Sequence, residues 1–341
     1  MISATFHPKR KHFYNALEST AGTPVAPATL FVVGDEVVPV ESIKLTVGTE
    51  FVERLPDGDS LQYLLSIPGR SPCKLGFSSR LIAPTTKGTA GPLSNLLKAS
   101  NLAEVLVGST SATYTETADQ LNRLSVGFGI LAEDGSDELE VELAGAAVNS
   151  LKMKADGIGK PVMIDWELMA KLAYVSSAYV IQDNGTPNNG VTYANDNANG
   201  FRLISATLTS GLAARQISKF EFDLGRSVEL GTNWNGTDAT GFDYAHLGKS
   251  KPMITIDPTV VPVATANDLL NMINGGSAAF AFTLAAPSGA LFNFSAPLLQ
   301  PQSISDDKVG DAIASWGIKA LCARSQAGTT DSNNAFSLEF A

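Results

Sequence analysis

The segment Asp137-Glu138-Leu139-Glu140-Val141-Glu142-Leu143 alternates carboxylate and hydrocarbon without a break, and it constrains the fold more than any other stretch. Successive side chains of a β-strand point to opposite faces, so Glu138, Glu140 and Glu142 share one side and Leu139, Val141 and Leu143 the other. Helical geometry would scatter the same residues around an axis. The chain must therefore contain a sheet with two unlike faces. Val126, Phe128 and Ile130 alternate just upstream, and Glu133-Asp134-Gly135-Ser136 supplies turn chemistry between the two runs, which together predict a hairpin.

The period of two recurs along the chain. Asp165 and Glu167 stand opposite Trp166 and Leu168, and further strands are expected over 30–33, 37–40, 42–52, 61–67, 73–81, 201–208, 217–224, 253–257, 279–284, 291–295 and 313–321. Two short helices interrupt them. Over 92–99, Leu93, Leu96 and Leu97 form a narrow apolar stripe; over 265–273, Thr265 is the expected N-cap and Asp268 holds the capping-box position. Residues 228–244 are rich in Gly, Asn and Thr and read as a long polar loop.

These signals come twice in the same order, each half ending in a Trp-bearing strand with Trp166 or Trp316. The expected fold class is mainly β, with two tandem β-sandwich or barrel modules, each with a short flanking helix. The expected organisation is an extended N-terminal arm over 1–29, a first module over 30–183, an Asn/Gly-rich linker over 184–200 and a second module over 201–341.

Charge excludes some functions. A net charge of −10 disfavours the phosphate backbone of nucleic acids, which calls for clustered Lys and Arg. Charged residues make up only 17% of the chain, as in proteins that hide surface in an assembly. The main basic run, His7-Pro8-Lys9-Arg10-Lys11-His12, is either a solvated arm or a dock for an acidic surface on a neighbouring subunit. Cys73 and Cys322 have no Cys or His at metal-ligand spacing and are expected as buried reduced thiols. The three histidines, His7, His12 and His246, give a catalytic triad or a metal site little to stand on, so no enzyme activity, metal or cofactor is expected. Gly248-Lys249-Ser250 has the end of a phosphate-loop motif, but Asp243 stands where that motif needs its first Gly. The N-terminus lacks the order of a signal peptide, and no apolar stretch reaches membrane-spanning length, so a cytosolic origin is expected.

The acidic face has two readings. It is the solvated side of a sheet, or it is a channel wall past which a polyanion slides without sticking; a catalytic acid–base pair is not expected from same-face strand neighbours.

The order of features resembles the tail tube (major tail) proteins of long-tailed bacteriophages in their double-module form. The resemblance rests on Arg10-Lys11-His12-Phe13 with Glu18-Ser19-Thr20-Ala21-Gly22-Thr23-Pro24, the helix over 93–99 ahead of a hairpin, Gly159-Lys160-Pro161 within 146–168, Leu203-Ile204-Ser205, Phe220-Glu221-Phe222-Asp223-Leu224-Gly225, and the strand-then-helix run over 252–273. It implies a structural virion protein of the tail, assembled in the host bacterial cytoplasm. Rings, expected as trimers with pseudo-six-fold symmetry, stack into the tube that conducts DNA. The implied partners are further copies and the tape measure, distal tail and terminator proteins. DNA would be in transit and not specifically bound, and no membrane partner is implied. Glu138, Glu140, Glu142, Asp165 and Glu167 are the candidate lumen-lining residues, and Lys9, Arg10, Lys11, Asp57 and Trp234 the candidate inter-ring contacts. Two alternatives stand beside it: another tail component such as a distal tail or terminator protein, and a carbohydrate-binding β-sandwich using Trp234, Phe242 and Tyr244.

Overall fold

The computed structural model describes residues 6–31, 38–49, 51–54, 64–68, 71–117, 122–134, 137–175, 178–184, 193–203, 206–207, 215–232, 241–260, 267–309, 313–324 and 334–341. The chain is mainly β. Its N-terminal half runs β1 (Phe6–Leu17), α1 (Pro27–Leu30), β2 (Val40–Val47), a ribbon of β3 (Phe51–Arg54) and β4 (Leu64–Pro68), and β5 (Pro72–Arg80). α2 (Ser94–Ala99), β6 (Leu102–Val107), β7 (Ser111–Glu116), β8 (Leu124–Ala132), β9 (Glu138–Ala155) and β10 (Met163–Leu172) follow. Short pieces come next: β11 (Tyr174–Val175), β12 (Ala178–Tyr179), β13 (Ile181–Asn184), α3 (Asp196–Asn199), β14 (Ala206–Thr207) and β15 (Gln216–Ile217). The C-terminal half continues with β16 (Phe220–Asp223), a ribbon of β17 (Arg226–Thr232) and β18 (Phe242–Ser250), and β19 (Met253–Ile256). It ends with α4 (Asp268–Ile273), β20 (Ala278–Ala285), β21 (Leu291–Val309), β22 (Ile313–Ala323) and β23 (Ser337–Phe340).

Fifteen strands join in one antiparallel sheet in the order β2-β5-β10-β9-β16-β19-β22-β21-β23-β7-β6, with β8 and β13 branching from β9, β1 from β8 and β20 from β21. The sheet runs through the expected linker without a break, because Phe220–Asp223 pairs along residues 155–152 of β9. Of the linker itself, residues 185–192 lie outside the described residues, and the far end is tied down: Ala83 N–H donates to Asn199 O at 2.9 Å, and Gly200 bridges Ile82.

Alternation places the core. On β5, Cys73, Leu75, Phe77 and Ser79 turn inward, and on β10 Ile164, Trp166, Leu168 and Ala170 meet them. Trp166 stacks on Phe77 and donates its indole N–H to Ser79 Oγ at 2.8 Å, so its one polar atom is satisfied in the interior. In the other half Phe222, Phe282, Phe294 and Phe336 pack ring on ring, with Phe282 and Phe294 stacked 5.2 Å apart. One contiguous core holds residues of both halves.

Several expectations are corrected. Residues 27–30 form helix α1 in place of a strand start, since Pro27 at its first position presets a helical φ; residues 32–37 lie outside the described ones. The arm is not free: from Lys11 onward Phe13, Asn15 and Leu17 alternate against β8, so residues 6–17 become a strand of this chain's own sheet. Of the polar loop expected over 228–244, residues 228–232 and 242–244 belong to the β17–β18 ribbon and 233–240 lie outside the described residues; the ribbon's inward residues Val228, Leu230, Ala245 and Leu247 cap Ala147 and Met169. Strands β6, β7 and β23 had no expectation; they are only four to six residues long, and such short strands give little periodic signal. The second helix is capped by Asn267, whose side chain accepts from Leu270 N–H at 3.0 Å, while Thr265 lies outside the described residues.

Candidate functional site

Register brings the acidic strand against two glycines. Tyr14, Gly127 and Glu142 stand in one cross-strand row, and His12, Gly129 and Glu140 in the next. The alternation therefore holds, but the face is not solvated: Glu138, Glu140 and Glu142 are all buried, at 0–1% exposure. The physical reason is the missing Cβ opposite them. A Cβ at Gly129 would collide with the Glu138 carboxylate and one at Gly127 with the Phe31 ring, so the two glycines make room for side chains to fold across the sheet beneath α1. The Tyr14 hydroxyl donates to Glu138 Oε1 at 3.3 Å, and His12 Nδ1 lies 3.1 Å from the same oxygen. Burial and the nearby Glu138 carboxylate hold the Tyr14 phenol protonated well above its usual range.

At the inner end of the row, Glu18 accepts from Gly145 N–H at 2.6 Å, Gly22 N–H at 2.7 Å and Ser125 Oγ at 3.2 Å. Neither carboxyl oxygen of Glu142 has a hydrogen-bond partner. Burial, reinforced by the negative Glu18, pushes the Glu142 carboxyl from about 4.5 up to about 8. The folded chain thus keeps a proton that the unfolded chain releases, and stability falls as pH rises from about 4.5 to about 8, then levels. Glu142→Gln cannot titrate and should flatten that decline. Urea unfolding at pH 5 and pH 8 checks it: the loss between the two pH values should be smaller in the variant, and an equal loss would reject the assignment.

Asp165 and Glu167 lie on the outer face of β10, opposite Trp166. This face is of mixed charge. Asp165 is within 2.8 Å of Lys154 Nζ and accepts from Ser78 Oγ at 2.6 Å, and Lys152 reaches Asp223 at 3.2 Å. Burial pulls the Asp165 carboxyl upward, but the Lys154 ammonium and the Ser78 hydroxyl outweigh it and hold the group below its ordinary value. Register sets Lys152 between Asp165 and Asp223 on adjacent strands, a neighbourhood invisible to a reading of β10 alone. Glu167 accepts from Asn149 Nδ2, and Asn149 Oδ1 accepts from Val228 N–H, which places Glu167 beside the β17–β18 ribbon.

Of the expected inter-ring residues, only the side chain of Lys11 lies among the described residues. Lys11 Nζ donates to Ile43 O at 3.1 Å and lies 5.7 Å over the Phe128 ring, both within its own chain. The side chains of Lys9 and Arg10, and all of Asp57 and Trp234, lie outside the described residues. The two cysteines are buried and free, with burial raising each thiol to about 12, so neither is a reactive nucleophile. Among the described residues no cluster of His, Cys, Asp and Glu could hold a metal ion, and no helix is long and apolar enough to cross a membrane.

Sequence reasoning missed the open strand edges. Among the described residues β2 ends the sheet and pairs with β5 alone, and Val47 is 45% exposed. From Gln300 onward β21 has β22 as its only described neighbour, because β20 and β23 reach no further than Leu299. β6 closes the opposite end of the sheet and exposes Val105, Leu106 and Val107. Unpaired N–H and C=O groups on such edges are templates for another strand.

Among protein-family models and curated proteins, none matches this chain.

Proposed function

We propose that this chain is a structural, non-catalytic protein that assembles with copies of itself into rings, which stack into a hollow tube like that of long-tailed bacteriophages. One observation carries the reading: the sheet junction at the middle of the chain has counterparts at β2 and β21, and there, among the described residues, both edges are unpaired. The first half runs β2, ribbon, β5, α2, β8, β9, β10, and the second runs β16, ribbon, β19, α4, β20, β21, β22. Neighbour order agrees as well, β2-β5-β10-β9-β8 against β16-β19-β22-β21-β20. Trp166 stands opposite Leu151 and Trp316 opposite Asp306, which aligns the long strands. On this reading they are two tandem copies of one β module, and β6–β7 is an insertion in the first.

The modules join where residues 152–155 of β9 pair with β16. Transferring the alignment, residues 45–48 of one copy would meet the end of β21, from 307 onward, in the next. Repetition of one junction between and within chains closes a ring in which three chains supply six similar modules. Asp165 and Glu167, on the face opposite Trp166, remain candidates for the lumen; Glu138, Glu140 and Glu142 are interior to the chain and do not. Further copies, together with tape measure, distal tail and terminator proteins, are the partners of such a tube, and DNA passes through it unbound.

Electron microscopy of the purified chain is the test. Straight polymers with a regular axial repeat support the tube. Discrete single rings would move the protein to a tube end as a distal or terminator component, and a monomer across salt and concentration would overturn the assembly reading.

A further inference from the structure

In an acidic chain, positive charge gathers in one cleft. A cavity of about 840 Å³ is lined by Arg123, Arg226, Lys249, Lys251 and Arg324, with Glu116 the one acidic side chain among its lining residues. It lies between the base of the β17–β18 ribbon and the ends of β7 and β22. Arg226 carries the argument. Its side chain is 5% exposed, its Nη2 sits 3.4 Å from Glu116 Oε1, and its Nε is buried with no hydrogen-bond partner. Glu116 Oε1 is shared, since Ser250 Oγ also donates to it. Arg123 is buried at 1% exposure, and its guanidinium is fixed by the uncharged carbonyls of Ala245 and Asn122. Burial lowers both guanidinium pKa values; at Arg123 the nearby Tyr244 and Glu18 oppose the effect, and the Arg226 charge adds to it. Two nearby buried cations with an idle N–H donor are costly without an anion between them.

Gly248-Lys249-Ser250, the phosphate-loop-like tripeptide, lines this cleft. It does so from strand β18, so the loop mechanism does not apply; the lysine and the hydroxyl still face the same cavity.

We propose that this cleft is a binding site for a multiply charged oxyanion of the phosphoryl class, with the Arg226 guanidinium as its anchor, Arg123 behind it, and Lys249 and Lys251 at the mouth. Arginine suits that role because its planar fork matches phosphate oxygens. The volume exceeds that of a bare phosphate, so the oxyanion is either a free ion or the end of a larger molecule.

The test is thermal unfolding of the full chain with inorganic phosphate, pyrophosphate or adenosine monophosphate, each against sodium chloride of equal ionic strength. Wild type should be stabilised by several degrees at millimolar pyrophosphate, Arg226→Gln should lose the shift, and Lys249→Gln with Lys251→Gln should reduce it while leaving the unliganded midpoint unchanged. Adenosine monophosphate exceeding phosphate would identify the ligand as a larger phosphoryl compound, and equality a free oxyanion. No stabilisation of wild type by any of the three overturns the site, as does an undiminished shift in Arg226→Gln. Should Arg226→Gln fail to fold, an undiminished shift in the double lysine variant overturns it alone.

Discussion

Replacing Val47 with proline is expected to abolish assembly while leaving the chain folded. Gly48 N–H donates to Pro72 O at 2.9 Å, so at that position β2 faces β5. Backbone groups alternate sides along an antiparallel strand, so the N–H of Val47 points away from β5. The interior junction has the matching geometry: Leu224 N–H donates across to Leu151 O at 3.0 Å, so Phe222, two residues earlier and aligned with Val47, also faces β9. A proline at 47 deletes no β2–β5 bond and is tolerated on an edge strand. Across a copy-to-copy junction it removes one ladder bond and puts a pyrrolidine ring against the incoming strand. About 1.4 kcal/mol or more per junction, roughly a tenfold rise in the concentration needed for assembly, follows from one such loss, and every junction of a ring carries it. Sedimentation velocity and electron microscopy should show monomer for Val47→Pro and polymer for Val47→Ala, with matching circular dichroism. Polymer formation by the proline variant at wild-type concentration would remove β2 from the interface.

The sheet was legible in the sequence because period-two alternation is a local property. Val126 to Ile130, the strand around Glu140 and the strand around Trp166 all lie where the alternation puts them. Which face meets water was not legible, because that depends on what the neighbouring strands bring. Gly127 and Gly129 opposite the glutamates, and Lys152 beside Asp165, arrive by register. The basic arm shows the same limit. His12 and Lys11 read as solvated charge, yet β1 pairs with β8 and delivers His12 to Glu138. The two Leu-Leu helices are the sharpest case. Leu96 and Leu97 of α2 are fully buried, while Leu269 and Leu270 of α4 are nearly half exposed. One motif has two fates because helix length and propensity say nothing of which surface lies beneath.

That difference makes α4 depend on charge. Its only buried residue is Asp268, at 3% side-chain exposure, and Arg215 meets it with two parallel bonds, Nη1 to Oδ2 at 2.8 Å and Nη2 to Oδ1 at 2.9 Å. With Asn267 as the N-cap, Asp268 is the first helical residue and does not hold the capping-box position expected from a Thr265 cap, and its carboxylate faces inward. Asp268→Ala should cost about 3–5 kcal/mol, because it removes the carboxylate that holds the Arg215 guanidinium, at 1% exposure, by two parallel bonds. Burying both ions has its own desolvation penalty, so replacing the pair with hydrocarbon of similar size should recover most of the loss. Arg215→Met with Asp268→Leu is therefore expected to unfold at a higher urea concentration than Asp268→Ala. A double variant no more stable than that single one would mean that the pair attracts more than it costs to bury. Because Leu269, Leu270 and Ile273 face outward from this clamped helix, unlocking it should also weaken any assembly that uses them, a loss the hydrocarbon pair should restore.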